Sequence, residues 1–420
     1  MDPQARIDYG YNAIDEVSRT AKTIIALHYG ADPQFSYFMG CSNGGRQGMV
    51  ASQRFPEIFD GIVAGNPGFN LPKAAVAQAW DSQAFARAAT ETDIFGNPYL
   101  PTSFSFADLG LVAGAVTAQC DKLDGLEDQI IDNLPACTFD PAVLECAGEK
   151  NESCLSSEQV TALKDVFGGA RNSLGEEIYS DWPYDTSIGT VDWRVWKLGF
   201  PAAEGEAKIN NSLNVTLGGS SLPYIFMSPP DDIAGTGQEN GGYIFDFDFD
   251  GDAPRIFATS GIFTESSMDF MSAASTDLRA FSRRGGKLIV YHGNSDPVFS
   301  VNDTIDWYRS LLRNSGGYAF KFVRLFQVPG MAHCSGGNAT NEFEALTAIV
   351  DWVEHGRAPR QIIAGAAGNT PWPDRERPLC PYPTQTRYLG EGDIDDAANF
   401  ACVLPNCFDV KAGKFFKHHF

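Results

Sequence analysis

The chain has 420 residues, 43% of them hydrophobic, and a formal net charge of −22. That length and apolar share supply a core large enough for two domains. The acidic balance argues against nucleic acid or an anionic membrane as partner, and no apolar run reaches membrane-spanning length.

Residues 5–29 place Ile7, Tyr11, Ile14, Val17, Ala21, Ile24 and His28 at a helical period. Phe35-Ser36-Tyr37-Phe38-Met39 is an apolar run of strand length. Gly40-Cys41-Ser42-Asn43-Gly44 follows, a G-x-S-x-G pattern that fits a serine on a sharp strand-to-helix turn. Small residues at 40, 44 and 45 permit the turn, and a helix is expected over 46–54, stopped near Pro56. A strand is expected over 59–64. From about 76 to 285 the strand–helix alternation weakens, as a lid inserted into a core would do. The chain is therefore read as core (1–75), lid (76–285), core (286–405) and an atypical tail (406–420).

Inside the lid, Cys120-Asp121-Lys122-Leu123-Asp124-Gly125-Leu126-Glu127-Asp128-Gln129-Ile130 crowds carboxylates around a glycine. They repel one another unless a cation sits among them, and hard oxygen ligands suit calcium. Asp121, Asp124 and Asp128 are the side-chain candidates, with Leu126 and Ile130 offering backbone oxygens; a solvated acidic loop is the alternative. Asp246-Phe247-Asp248-Phe249-Asp250-Gly251 opens like an EF-hand loop but has Phe257 where a bidentate glutamate is required, and reads better as a strand.

Lys287-Leu288-Ile289-Val290-Tyr291 is a buried-strand pattern leading into His292-Gly293-Asn294-Ser295-Asp296-Pro297. Asp296, in the loop just after that strand, is assigned as the acid of a triad; Asp303 and Asp306 are weaker candidates, and His292 is read as a supporting histidine. A helix over 301–313, a strand over 320–328 and a helix over 342–355 ended by Gly356 complete the core. Between the last two lies His333-Cys334, the only His-Cys dipeptide in the chain.

A cysteine thus stands beside the candidate nucleophile and another beside the candidate base. If Cys41 and Cys334 are joined, their Cα atoms lie roughly 4.4–6.8 Å apart and Ser42 and His333 become neighbours. Ser42 is then the nucleophile, His333 the general base, Asp296 its orienting acid, and the Asn43 N–H at the new helix's start an oxyanion donor.

This Cys-Ser, Asp, His-Cys constellation resembles the tannase/feruloyl esterase family of serine esterases over roughly residues 5–403. Further similar stretches are Tyr9-Gly10-Tyr11-Asn12-Ala13, Phe59-Asp60-Gly61-Ile62-Val63-Ala64-Gly65, the segment from His292 to Pro297, and Val328-Pro329-Gly330-Met331-Ala332-His333-Cys334. The resemblance implies an α/β-hydrolase core with a large inserted lid, a Cys41–Cys334 disulfide, secretion, and a structural calcium held by Asp121, Asp124, Leu126, Asp128 and Ile130, with no organic cofactor. It also implies esters of phenolic acids as substrates, feruloyl esters of plant cell-wall polysaccharides being preferred here over the galloyl esters of a tannase. Other α/β-hydrolase chemistry, on peptides or lactones, and an impaired calcium-binding fragment are the alternatives. Nine cysteines agree with an oxidising, extracellular setting. The other expected pairs are Cys120–Cys137, Cys146–Cys154 and Cys380–Cys402, leaving Cys407. Sequons at Asn151, Asn210, Asn214, Asn302 and Asn338 fit a glycoprotein. Only 41 residues precede Ser42, so the core is expected to lack N-terminal strands and the loop that gives the second oxyanion donor; no signal peptide is visible.

Overall fold

The computed structural model describes residues 2–405; the tail from 406, with Cys407, lies outside them. Four parallel strands form the central sheet in the order β1 (Tyr37–Cys41), β2 (Gly61–Gly65), β3 (Lys287–Gly293) and β4 (Val323–Val328). Their apolar runs are long because a parallel sheet is covered on both faces. Alternation then sorts each strand between two cores. Ile62, Ala64, Leu288, Val290, Val323 and Leu325 join one buried cluster. Val63, Ile289, Tyr291, Phe326 and Val328 join another. The first face carries helix α2 (Asn43–Arg54), following α1 (Ala13–Tyr29), through Met49 and Val50. The second carries the helix Ala345–His355 through Ile349 and Trp352.

The register aligns Cys41 with Gly65, Gly65 with Tyr291, and Gly293 with Val328. All four strands therefore end at one edge, and the loops beyond it carry Ser42, Asn66, Asp296 and His333. Between β2 and β3, the described residues 66–286 hold helices, turns and isolated bridges but no strand of a sheet. This segment does not stand apart: Phe85, Leu109, Leu163 and Trp193 belong to the same buried cluster as Met49 and Leu288. No helix of the described residues is long and apolar enough to cross a membrane.

Several expected elements shift. The strand expected from 320 starts at Val323, because Tyr318–Lys321 forms a 3-10 turn. The helix expected from 342 starts at Ala345, because Thr340–Phe343 pairs antiparallel with Ile362–Ala366. The Asp246–Asp250 stretch is not a strand. It leaves a short helix, Gly241–Phe245, and turns, with the Asp248 side chain accepting the Asp250 N–H and Asp252 accepting that of Asp248. Aspartates that bond their own backbone favour turns over a ladder. Helix α1 extends through a π turn at Asp8–Asn12 back to Pro3, but only Tyr11 and Ile14 of its apolar stripe pack on the main cluster. Val17 and Ile24 are exposed. Among the sequons, Asn210 and Asn214 are buried and only Asn151 is exposed, so the two buried ones have no room for a glycan.

Candidate functional site

Ser42 has φ 64° and ψ −122°, a conformation L residues avoid, held by its N–H to the Gly65 carbonyl and by the Arg46 N–H on its own carbonyl. Asn66 and Cys334 also have positive φ, so three of the four such non-glycine residues described gather at this sheet edge; Gln129 is the other. Strain of that kind, about 1–3 kcal/mol per residue, persists only where the surroundings over-determine it. Here glycine permits the close approach. A Cβ on Gly40 would stand 2.7 Å from the Gly44 carbonyl carbon and one on Gly45 2.2 Å from the Gly65 oxygen, whereas one on Gly44 would meet nothing within 4 Å. Gly45→Ala is therefore expected to destabilise the protein by about 1–3 kcal/mol, while Gly44→Ala leaves the melting temperature unchanged or raised. Equal losses in thermal unfolding would refute that asymmetry.

The disulfide Cys41–Cys334, with Cα atoms 5.9 Å apart, fixes the residue before Ser42 to the residue after His333. His333 Nδ1 lies 3.0 and 3.1 Å from the two carboxylate oxygens of Asp296. Its Nε2 is buried and without a partner, and the Ser42 hydroxyl is not hydrogen-bonded to it in this state. Catalytic hydrogen bonds are often long without substrate and tighten when it binds. The rings of Trp196 and Phe299 stand edge-on to the imidazole, with centroids at 5.1 and 5.4 Å.

Asp296 is buried and surrounded by donors. Its Oδ1 accepts from the N–H groups of Val298 (2.7 Å) and Phe299 (3.2 Å), and Oδ2 accepts from Asn66 Nδ2 (2.7 Å). His292, fully buried, reaches the same Oδ2 at 3.2 Å and otherwise meets Thr304 Oγ1 and the Phe299 carbonyl, a supporting role. Burial alone would raise the Asp296 pKa, yet the His333 charge and the bonds from His292 and His333 outweigh it and hold the carboxyl well below the usual range. Asp303 instead accepts both bonds from Asn70, and Asp306 faces Arg309 at the surface. Asn43 heads helix α2, and its side chain accepts from Arg46 Nε. Fully buried Arg46 also holds the Gly10, Tyr9 and Met271 carbonyls.

Asn66 is the principal residue here that motif reading passed over. Its one signal is Gly65-Asn66-Pro67 at a strand's end, since asparagine tolerates positive φ. Trp196 gave no signal. The arrangement can activate a hydroxyl by an imidazole whose far nitrogen is tied to a carboxylate, which is the equipment of acyl transfer.

The acidic loop is braced by Cys120–Cys137 and by Arg375, which donates to the Asp128 carbonyl. Asp121 accepts the N–H groups of Asp128 and Gln129, and Asp124 those of Leu126 and Asp132. Asp128 is ion-paired with Arg377. Among the described residues no three acidic, histidine or cysteine side chains already converge as a ligand set. The donor chemistry still fits a hard cation: burial, with the like charges of Asp128 and Asp121, pushes Asp124 up to about 7. Disulfides also join Cys146 to Cys154 and Cys380 to Cys402.

Comparison with known proteins agrees with this geometry. The model of the family described as tannase and feruloyl esterase matches residues 1–403. A mono(2-hydroxyethyl) terephthalate hydrolase of Piscinibacter sakaiensis is 47% identical over 96% of this chain and 70% of its own length. A probable feruloyl esterase of Arthroderma benhamiae is 27% identical over 94% of this chain and 68% of its own. The crystal structure of feruloyl esterase B from Aspergillus oryzae superposes with a TM-score of 0.73 at 23% identity, covering 96% of this chain and 75% of that one, a likeness of fold.

Proposed function

The chain belongs to the tannase and feruloyl esterase family and is a carboxylic ester hydrolase with an α/β-hydrolase fold; from that premise we propose that it works through an acyl-enzyme on Ser42 and takes esters of aromatic acids. The observation that carries this reading is the His333 imidazole, tied to Asp296 on one side and free on the other, with the Cys41–Cys334 disulfide joining the residue before Ser42 to the residue after His333. His333 Nε2 takes the Ser42 proton as the hydroxyl oxygen attacks the ester carbonyl. Asp296 stabilises the imidazolium, and the Asn43 N–H holds the developing oxyanion. His333 then protonates the leaving alcohol and afterwards deprotonates the water that releases the acid.

The rings of Trp196 and Phe299 beside the imidazole support an aromatic acyl group. Within that class we assign feruloyl and related cinnamoyl esters of plant cell walls first. The 47% identity to the terephthalate hydrolase favours a second reading, an aryl monoester such as a hydroxyethyl terephthalate. The test is acid release from methyl ferulate, methyl gallate and mono(2-hydroxyethyl) terephthalate, side by side with Ser42→Ala. A Ser42-dependent rate highest on the ferulate supports the first reading and highest on the terephthalate the second. No rate on any of them from folded protein would overturn the aromatic-ester proposal. Secretion is part of the same proposal, supported by four disulfides.

We also assign calcium to the acidic loop, held by Asp121, Asp124 and Asp128 with the Leu126 and Ile130 carbonyls; its contribution there is to neutralise the crowded carboxylates and brace the loop. Calcium at about 100 times its dissociation constant stabilises a protein by about 2.7 kcal/mol. The melting temperature is thus expected to fall by a few degrees on chelation and to recover with calcium, and Asp124→Asn is expected to remove that response. A wild-type melting temperature indifferent to calcium would dismiss the site.

A further inference from the structure

Asp185 is a fully buried carboxylate that takes no part in the steps above and has no cation within ion-pair distance among the described residues. It comes from the long segment between β2 and β3, far in sequence from both catalytic loops. Its Oδ1 accepts the Thr186 N–H at 2.8 Å. Its Oδ2 accepts two bonds at once: from the hydroxyl of Ser295 at 3.0 Å and from the N–H of Gly330 at 2.8 Å. Ser295 directly precedes Asp296, and Gly330 stands three residues before His333. One oxygen atom therefore joins the loop of the acid to the loop of the base.

Ser187 repeats the connection. Its N–H donates to Ser295 Oγ at 3.3 Å, its hydroxyl donates to the Gly330 carbonyl at 2.6 Å, and its oxygen accepts the Asn338 N–H at 2.8 Å. The joint has no slack. A Cβ on Gly330 would stand 2.0 Å from the Asn338 oxygen, and one on Gly337 would stand 2.2 Å from the Gly330 oxygen and 2.8 Å from Ser187 Oγ. The same segment continues into the helix Val191–Lys197, where Asp192 accepts the Gly337 N–H and Trp196 meets the His333 ring.

We propose that Asp185 and Ser187 are positioning residues that hold the Asp296 loop and the His333 loop in register, so that the inserted segment sets the acid–base alignment of the triad. The inference rests on the triad reading given above. Burying a carboxylate with no countercharge is costly, and the bonds it makes go to these two loops and its own turn. A displacement of either loop by an ångström breaks one of the Oδ2 bonds, and misplacement on that scale can cost on the order of 10²-fold in rate.

The test uses Asp185→Asn, Asp185→Ala and Ser187→Ala in the full chain, with melting temperatures measured alongside. Activity is read on p-nitrophenyl acetate and the preferred aromatic ester, and triad competence separately by the rate of labelling with a fluorophosphonate. Asp185→Ala is expected to lower kcat by about 10–100-fold with KM within about twofold. The acidic limb of its kcat/KM profile moves to lower pH, because a misaligned carboxylate stabilises the imidazolium less. Asp185→Asn keeps an acceptor oxygen for both loops and recovers most of kcat. Should Asp185→Ala fail to fold, Ser187→Ala leaves no unbalanced charge and is expected to show the same signature at about 3–10-fold. A folded alanine variant with kcat unchanged, or with kcat lowered but an unmoved pH limb, overturns the positioning role. Turnover that survives Ser42→Ala overturns the triad reading instead, and the inference with it.

Discussion

Ser42→Ala is expected to lower kcat by about 10⁶-fold, the scale seen when a triad serine is removed from a hydrolase, while leaving the fold intact. Both halves follow from the geometry. The Ser42 hydroxyl makes no hydrogen bond within the described structure, so its loss leaves no donor or acceptor stranded. The φ of 64° is as strained for alanine as for serine, so the turn is neither relieved nor worsened. The lost function is the nucleophile itself. His333 and the oxyanion donor remain and support at most the residual acceleration that binding and electrostatics give to direct attack by water. The paired measurements are turnover, labelling by a fluorophosphonate and the melting temperature. Abolished turnover and labelling with an unchanged melting temperature is the expected result. Turnover within a factor of ten of wild type would mean that Ser42 is not the nucleophile.

What the sequence made legible was local chemistry. Gly40-Cys41-Ser42-Asn43-Gly44 announces a strained turn because small residues around a serine permit one, and the structure needs Gly40 and Gly45, but not Gly44, for close backbone approaches. The cysteines beside Ser42 and His333 carry long-range information in a local pattern, since a disulfide is a contact that residue identity alone can suggest. Strands β2 and β3 were readable because burial on both faces leaves continuous apolar runs. The supporting residues were not. Asn66 meets Asp296 across 230 positions, and Asp185 meets Ser295 across 110 and Gly330 across 145. Nothing periodic marks such a contact: a buried aspartate that accepts three bonds looks the same in sequence as a solvated one. The Asp246–Asp250 stretch failed for a related reason, because alternation of acid and aromatic predicts a strand only when the acids do not bond their own backbone. The exposed stripe of α1 obeys helical periodicity, but periodicity shows where a helix has an apolar face and not whether anything packs against it.

Asp296→Asn is expected to lower kcat by about 10⁴-fold, and the reason lies in its neighbours. Every group bonded to the carboxylate is a donor: Val298 N, Phe299 N, Asn66 Nδ2, His292 Nε2 and His333 Nδ1. An asparagine amide cannot accept on both sides. With its oxygen kept toward the Val298 and Phe299 N–H groups, its NH2 faces Asn66, His292 and His333. Asn66 can answer by turning its amide, bringing forward an Oδ1 that is buried and unpartnered in the wild type. His333 Nδ1 lies 3.0 Å from the position of that NH2 and 3.1 Å from the retained oxygen, and accepting from the NH2 moves its proton to Nε2. The nitrogen facing Ser42 then holds a proton instead of a lone pair and cannot act as base. The fold should therefore survive with its catalysis lost. The stability difference carries its own signature in pH. The native Asp296 pKa is depressed, so its charged form contributes stability above the unfolded carboxylate range near 3.9, and that contribution is lost as pH falls toward the native value. The melting temperature of wild type should exceed that of Asp296→Asn at pH 7, and the gap should close on acidification below about pH 4. A variant retaining a tenth of wild-type turnover, or a gap that widens in acid, would remove Asp296 from the triad.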